Sequence, residues 1–425
     1  MSKAEVFELK CAVQEYAWGK KGEDSAVAKL KASVDSNFTI NPDAFYAELW
    51  MGTHPNGPSI CKIPGEEDVP LSEWVKQHPK QLGSEVERYF SGSLPFLFKV
   101  LSVRTALSIQ AHPNKQHAEQ LHIDRPDLYK DPNHKPEMAI ALTPFMGLCG
   151  FRPIDEVANF LETVEEFRKA VGGEKADSFV AASKTDDKSK HREAMKEAFK
   201  SLMERDAAEI KSFLKPLVDR VTGKKTAGED VSAMEGDLLL KLSSEFPGDR
   251  GLFAIYFLNV VHLEPGEAMF LEANLPHAYL SGDCMECMAC SDNVVRAGLT
   301  PKYLDVQTLL DMLDYTCRPI SRTKFLGIES HGNIDITIFN PPVPDFGVSK
   351  FEVPEGSTGF LLQAFESASI CIIIRGEGEA SSKSLKEPLK LRTGTVFFVA
   401  ADADVSISLE DGQGMLLFRA YAGVF

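Results

Sequence analysis

A chain of 425 residues, 44% of them hydrophobic, can bury two or three domain cores and has the composition of a folded soluble protein. Its net charge of −16 at pH 7 argues against a nucleic-acid or anionic-membrane partner, so any anionic substrate would need cations gathered locally. The opening MSKAEVFELK is charged without an apolar centre, which predicts no signal peptide, and the most apolar run, Gly251 to Leu263, is too short to cross a bilayer. Eight cysteines without a secretory signal read as free thiols in a reducing, cytoplasmic setting.

Residues 1 to about 150 are strand-rich and punctuated by turn signals such as HPNGPS (54–59) and SGSLP (91–95). FLFKVLSV (96–103) has the texture of a buried strand. After Arg152 and Pro153 the chain becomes charged and poor in β-branched residues. Val157, Phe160, Leu161, Val164 and Phe167 recur at spacings of three and four, and HREAMKEAFKSLMERDAAEIKSFLKPLVDRV repeats the pattern. These are amphipathic helices, with TGKKTAGED (222–230) expected as a loop between them. Strand texture returns from Gly251. From about residue 330, short strands at regular spacing with Gly turns predict a β-sandwich or barrel. The fold class is thus mainly β with an α-helical insert.

In SIQAHPN, Ser108, Gln110 and His112 alternate with Leu107, Ile109 and Ala111. On a strand that places three polar groups on one face. Glu137 opens the apolar run EMAIAL after Pro136, and His277 lies in NLPHAYL. Two His, one carboxylate and one amide oxygen suit Zn²⁺, Fe²⁺ or Mn²⁺, and lack the thiolates of a closed structural zinc site. Gln110 would complete the set without a second negative charge, leaving the ion its Lewis acidity. Spacing alone leaves open that these are unrelated strand residues.

Cys284, Cys287 and Cys290 in CMECMAC resemble part of an iron–sulfur spacing, but no plausible fourth Cys lies nearby. Cys287 would face away from the other two on a strand, so inert, partly buried thiols are expected. Arg296 and Lys302 lie in DNVVRAGLTPK, Lys135 precedes Pro136, and Lys99 sits inside an apolar strand where an unpaired Lys is costly. Such cations in an acidic chain point to a phosphate or sugar-phosphate pocket, with surface salt bridging the plainer reading for Lys302. His54 and most other histidines show no obvious partner, and His134 neighbours Lys135 and Glu137.

The blocks YAWGK, AELWMGTHPNG, LPFLFKVLS, LSIQAHPNK, NHKPEMAIALTPF, GLCGFRP, EAMFLEANLPHAYL and ECMACSDNVVRAGLTPKY resemble the type I phosphomannose isomerases, the animal members above all. They run from Tyr16 to Tyr303, with PPVPDF at 341–346 added, and the helical insert contributes little. The resemblance implies cupin-type jelly-roll barrels. A catalytic barrel would be built from 1–152 and 247–330, a helical insert from 153–246, and a C-terminal jelly roll from 331–425. It implies one Zn²⁺ per chain on Gln110, His112, Glu137 and His277.

Arg296 matches the family's active-site arginine. Trp18, Glu48, Lys99, Ser108, Lys135, Tyr279, Glu286, Asp292 and Lys302 match other pocket positions. The implied reaction interconverts mannose 6-phosphate and fructose 6-phosphate through a cis-enediol, feeding GDP-mannose synthesis and glycosylation. His134, Lys135, Glu286 and Asp292 are the candidates for the general acid/base, and Arg296 for stabilising the enediolate. Ser108, Lys99 and Lys302 could hold the phosphate. A cytoplasmic monomer without nucleic-acid or membrane partners is expected. Two rivals are a cupin Fe(II) oxygenase, whose facial triad is also two His and a carboxylate, and a sugar-binding cupin without catalysis.

Overall fold

The computed structural model describes residues 4–410 and 412–424. Strand Phe96–Val103 is buried along its whole length, as a strand covered on both faces must be. Phe96, Phe98 and Val100 enter a hydrophobic layer shared with Phe346, Ile370 and Phe418 of the C-terminal region. Leu101 and Val103 enter a separate barrel core with Leu271, Tyr279 and Cys284. One strand therefore serves two layers through its period-two alternation.

An eleven-stranded antiparallel sheet surrounds that core. Its longest member, His277–Ala289, pairs with Phe96–Val103, with Glu137–Ala141 and, nearer its start, with Phe145–Phe151. Tyr279 and Cys284 share the barrel core although five residues apart, which unbroken alternation forbids. The register slips beside Ser281, and Gly282 takes φ +110, where an added Cβ would lie 2.6 Å from the Pro144 carbonyl oxygen. Glycine at this bulge flips the phase of the strand. His277 and Tyr279 before it, and Cys284 and Glu286 after it, thus serve one interior.

A nine-stranded sheet and a four-stranded sheet form the C-terminal region. Phe351, Ile373 and Leu417 of the first meet Leu362, Ala380, Val405 and Ile407 of the second in one apolar layer, the packing of a β-sandwich. The first strand of the chain, Val6–Lys10, belongs to this nine-stranded sheet, pairing Val6 with Val399 and Phe7 with Phe398. So do Ile60–Lys62 and Val69–Pro70. The segmentation by sequence texture groups these segments with the catalytic barrel. Phe7 and Leu9 bury in the shared layer and Val6 in the sandwich, a partnership that no local pattern encodes.

The helices run from Ile154–Thr163 to Gly236–Glu245. Val157, Phe160, Leu161, Val164 and Phe167 are all buried. The run is nevertheless two helices, because Val164 takes an extended conformation between Ile154–Thr163 and Glu165–Val171. The expected loop at 222–230 is shorter than its residues suggest: helix Ala207–Thr226 continues through Gly223, and Lys224 and Lys225 in its last turn complement the helix dipole. Ile109, Ala111, Val295 and Ala297 of the barrel pack into the helical core. Among the described residues no helix is long and apolar enough to cross a membrane.

Candidate active site

Three short segments bring the site together. Strand Ile109–Ala111 places Gln110 opposite His277 on one neighbour and opposite Arg296 on the other. Side chains directly opposite in antiparallel strands lie about 5 Å apart at Cβ, so Arg296, Gln110 and His277 form a row across three strands. Ile109 and Ala111 turn the other way, into the helical core, as period two requires. His112 follows the strand and is buried. Glu137 opens its strand after Pro136, which has no N–H to offer a ladder.

His112, Glu137 and His277 converge: one ligand atom from each lies within 4.8 Å of the others. Nε2 of each imidazole is 3.4 Å from Glu137 Oε2. The other ring nitrogens are already committed. His112 Nδ1 is 2.7 Å from the Asn293 carbonyl oxygen and His277 Nδ1 is 2.8 Å from that of Leu275. A carbonyl only accepts, so both Nδ1 atoms carry the proton and a neutral ring presents a bare lone pair at Nε2. Both Nε2 atoms are buried without a hydrogen-bond partner among the described residues.

Burial pulls the His112 imidazole down to about 4 against the opposing pull of Glu137. Burial would raise the Glu137 carboxyl, but Lys135 and the two histidines hold it well below its ordinary range. Two lone pairs and a carboxylate facing one another fit a divalent cation and nothing apolar. Gln110, whose Oε1 accepts from Ser108 Oγ at 3.2 Å, stands beside His277 with the hard donor such an ion would accept.

A second cluster lines the same interior. Lys99 and Glu286 are opposite each other in register, and Lys99 Nζ lies 2.9 Å from Glu286 and 3.6 Å from Glu48. The Trp50 indole donates to Glu48 and its ring lies 5.5 Å from Lys99 Nζ. Burial disfavours the Lys99 charge, but Glu286 and Glu48 outweigh it and raise its pKa. Burial raises the Glu286 carboxyl, with Lys99 opposing. The Tyr279 hydroxyl is buried near Glu286. Lys135 Nζ reaches Glu137 Oε1 at 3.2 Å, so it joins the metal-side cluster.

Other expected residues lie farther out. Trp18 is half-buried against the barrel core and stacks on Tyr16. Asp292 is exposed at the rim, 3.3 Å from His54 Nε2, a hydrogen bond that lowers its pKa. Lys302 is exposed and shows no ion pair among the described residues. His134 is the catalytic candidate that the structure turns away: its Nε2 is 2.9 Å from Asp345, a buried carboxylate of the C-terminal region. Adjacent residues of an extended chain point to opposite sides, so His134 and Lys135 cannot both face Glu137. Cys284, Cys287 and Cys290 are free thiols in three different packing layers.

Comparison with known proteins agrees with this geometry. The family model for the type I phosphomannose isomerase catalytic domain matches residues 6–154, that for the helical insertion domain 170–258, and that for the C-terminal domain 337–381. Mannose-6-phosphate isomerases of Homo sapiens and Macaca fascicularis are each 49% identical over 420 residues, 99% of both chains. The chain belongs to the type I phosphomannose isomerase family. A crystal structure of a phosphomannose isomerase variant from Salmonella typhimurium superposes with a TM-score of 0.82 at 31% identity, covering 99% of this chain and 100% of that one. A mannose 6-phosphate isomerase bound with zinc and yttrium superposes with a TM-score of 0.81, again at 31% identity and with the same coverage.

Within this phosphomannose isomerase scaffold, several contributors escape sequence reasoning. Asn293 matters through its backbone carbonyl, which carries no side-chain signature. Its own amide is spent on the Asp131 and Asn133 carbonyls at 2.7 and 2.9 Å. His54, without a visible partner in sequence, meets Asp292 and packs edge-on against Trp50. Trp50 stands two residues from Glu48, and that same-face spacing was the available signal.

Proposed function

We propose that this chain is an aldose–ketose isomerase interconverting mannose 6-phosphate and fructose 6-phosphate. The observation that carries the reading is the pair of buried Nε2 lone pairs of His112 and His277, turned toward Glu137 within one barrel with Lys99, Glu286 and Arg296. His112, Glu137, His277 and Gln110 would hold one Zn²⁺, which when bound supplies Lewis acidity to the sugar oxygens at C1 and C2.

The remaining work falls to the chain itself. The Asn293 and Leu275 carbonyls keep both imidazoles in the ligating tautomer. Arg296, half-buried and without an ion pair among the described residues, offers a permanent positive charge to the enediolate oxygen. The proton moving between C2 and C1 needs a group that gives and takes it. Glu286 is suited, because burial lifts its carboxyl while Lys99 keeps the proton exchangeable. Lys135 and Asp292 are the other pocket candidates, and His134 is withdrawn by Asp345. Ser108 and Lys302 are left for the phosphate.

The proposed organisation keeps the catalytic barrel in 1–152 and 247–330 around the helical insert 153–246, with Val6–Lys10, Ile60–Lys62 and Val69–Pro70 lent to the C-terminal sheet. A cytoplasmic monomer supplying mannose for GDP-mannose synthesis is the proposed setting. A coupled assay for fructose 6-phosphate formed from mannose 6-phosphate tests the reading. Turnover should be equal with and without oxygen, vanish on chelation and return with Zn²⁺. An oxygen requirement would favour the oxygenase rival, and binding without turnover the non-enzymatic one.

A further inference from the structure

The strand that carries Arg296 is held on one side only. Val295–Gly298 pairs with Ile109–Ala111, the register slips between Arg296 and Gly298, and no second strand among those described joins it. Arg296 has no carboxylate of its own to orient it among the described residues. With no such partner, what the fold fixes is the backbone from which the guanidinium reaches into the site.

Just past the end of the helical insert, Asp249 grips that backbone. Its Oδ1 accepts from the Gly251 N–H at 2.7 Å and the Leu299 N–H at 2.8 Å, and its Oδ2 accepts from the Thr300 N–H at 3.2 Å. A carboxylate taking three backbone N–H groups is a charge-assisted anchor, stronger than neutral hydrogen bonds. The backbones touch as well. A Cβ added to Gly298 would lie 2.8 Å from Gly251 Cα, and one added to Gly251 would lie 2.7 Å from the Leu299 nitrogen. Leu299 is buried at φ 53, a left-handed conformation that a bulky residue keeps only where its surroundings impose it. Next to Asp249, the Arg250 guanidinium donates to the Met203 carbonyl, tying this corner to helix Lys188–Glu204.

We propose that Asp249 is a positioning residue for Arg296: by fixing Leu299 and Thr300 against Gly251, it holds the arginine strand in the register the isomerisation needs. This gives the corner where the chain leaves the helical insert a part in catalysis, and it rests on the isomerase reading above. Displacement of a charge-stabilising group by about 1 Å can cost roughly a hundredfold in rate.

A double-mutant cycle in kcat tests it, with zinc content and melting temperature measured on each preparation. Asp249→Ala should lower kcat roughly tenfold to a hundredfold with zinc retained. Placed on Arg296→Ala, the same substitution should change kcat by less than about threefold, because residues acting as a unit are not additive. Asp249→Asn keeps Oδ1 for Gly251 and Leu299 and should recover most of the loss. Gly298→Ala, which forces the two backbones apart with Asp249 intact, should reproduce it; these last two variants carry the test if Asp249→Ala does not fold. Additive losses in the cycle, or wild-type kcat in Asp249→Ala, overturn the brace while leaving the isomerase reading standing. Wild-type kcat in Arg296→Ala overturns the brace together with the charge-stabilising role of Arg296, whereas absence of turnover in the wild-type chain would overturn the isomerase reading itself.

Discussion

Two antiparallel β regions in one chain bury opposite kinds of side chain. The catalytic interior holds Glu48, Lys99, His112, Glu137, His277 and Glu286, all buried. Between the two C-terminal sheets lies an apolar layer of Phe351, Leu362, Ile373, Val405, Ile407 and Leu417. Among the described residues of the C-terminal region one cation is fully buried, Arg419, which is met by Ser369 Oγ at 2.8 Å, the Gln363 carbonyl at 2.7 Å and the face of Phe365. No carboxylate among the described residues pairs with it, and its bonds to Ser369 and Gln363 strap strands together. Lys99 instead stands between two acids. The contrast separates scaffold from site: related sheet packing supports both, and chemistry lives where charges are held buried at a cost in stability.

The comparison breaks most visibly on metal removal. Chelation should abolish turnover while circular dichroism stays nearly unchanged, because the ligands stand in a barrel already stabilised by its apolar strands. Unfolding on chelation would show that the catalytic interior depends on its ion for structure.

Next in size is Arg296→Ala. Loss of a charge-stabilising donor costs ~3 kcal/mol of transition-state stabilisation, a hundredfold to a thousandfold in rate. In steady-state kinetics kcat should fall far more than KM rises, with zinc unchanged. A rise confined to KM would move Arg296 to ground-state phosphate binding.

The same kind of substitution in the two regions sharpens the contrast. Lys99→Met leaves Glu286 and Glu48 buried without their cation, a loss of about 3–5 kcal/mol in denaturant titration. The sign of its pH dependence follows from Glu286. Burial raises its folded pKa above the ordinary 4.5, so its contribution is full below 4.5 and lost as pH rises through the folded value. Without Lys99 the folded value rises further. The stability deficit of Lys99→Met should therefore shrink in acid and grow toward neutral pH. Arg419→Met leaves no acid behind. It should cost about 2 kcal/mol, the two hydrogen bonds lost, and leave kcat at the wild-type level. Equal pH dependence in the two variants would contradict the distinction.

The smallest effect is expected at Cys287, which is buried in the layer between the two regions. Cys287→Ser should lower stability at most, by about 1–3 kcal/mol of polar desolvation in denaturant titration, with bound zinc still stoichiometric. Loss of zinc would return the three cysteines to the metal site.

Much of the candidate site was legible because its proposed ligands sit on locally regular chain. Gln110 and His112 share a face by the period of a strand, Pro136 marks where Glu137 begins one, and the apolar spacing of Val157, Phe160 and Leu161 marks the buried face of helix Ile154–Thr163. These patterns are written within a few residues of one another. What the tertiary structure decided lies between distant segments. The partnership of Val6–Lys10 with Val396–Val399, the diversion of His134 to Asp345, the use of the Asn293 carbonyl by His112 and the grip of Asp249 on Leu299 each join residues tens to hundreds of positions apart. A short window sets which way a side chain points relative to its neighbours. Which strand, carbonyl or carboxylate it then meets depends on how whole layers bury their apolar faces, and that is a property of the packed molecule.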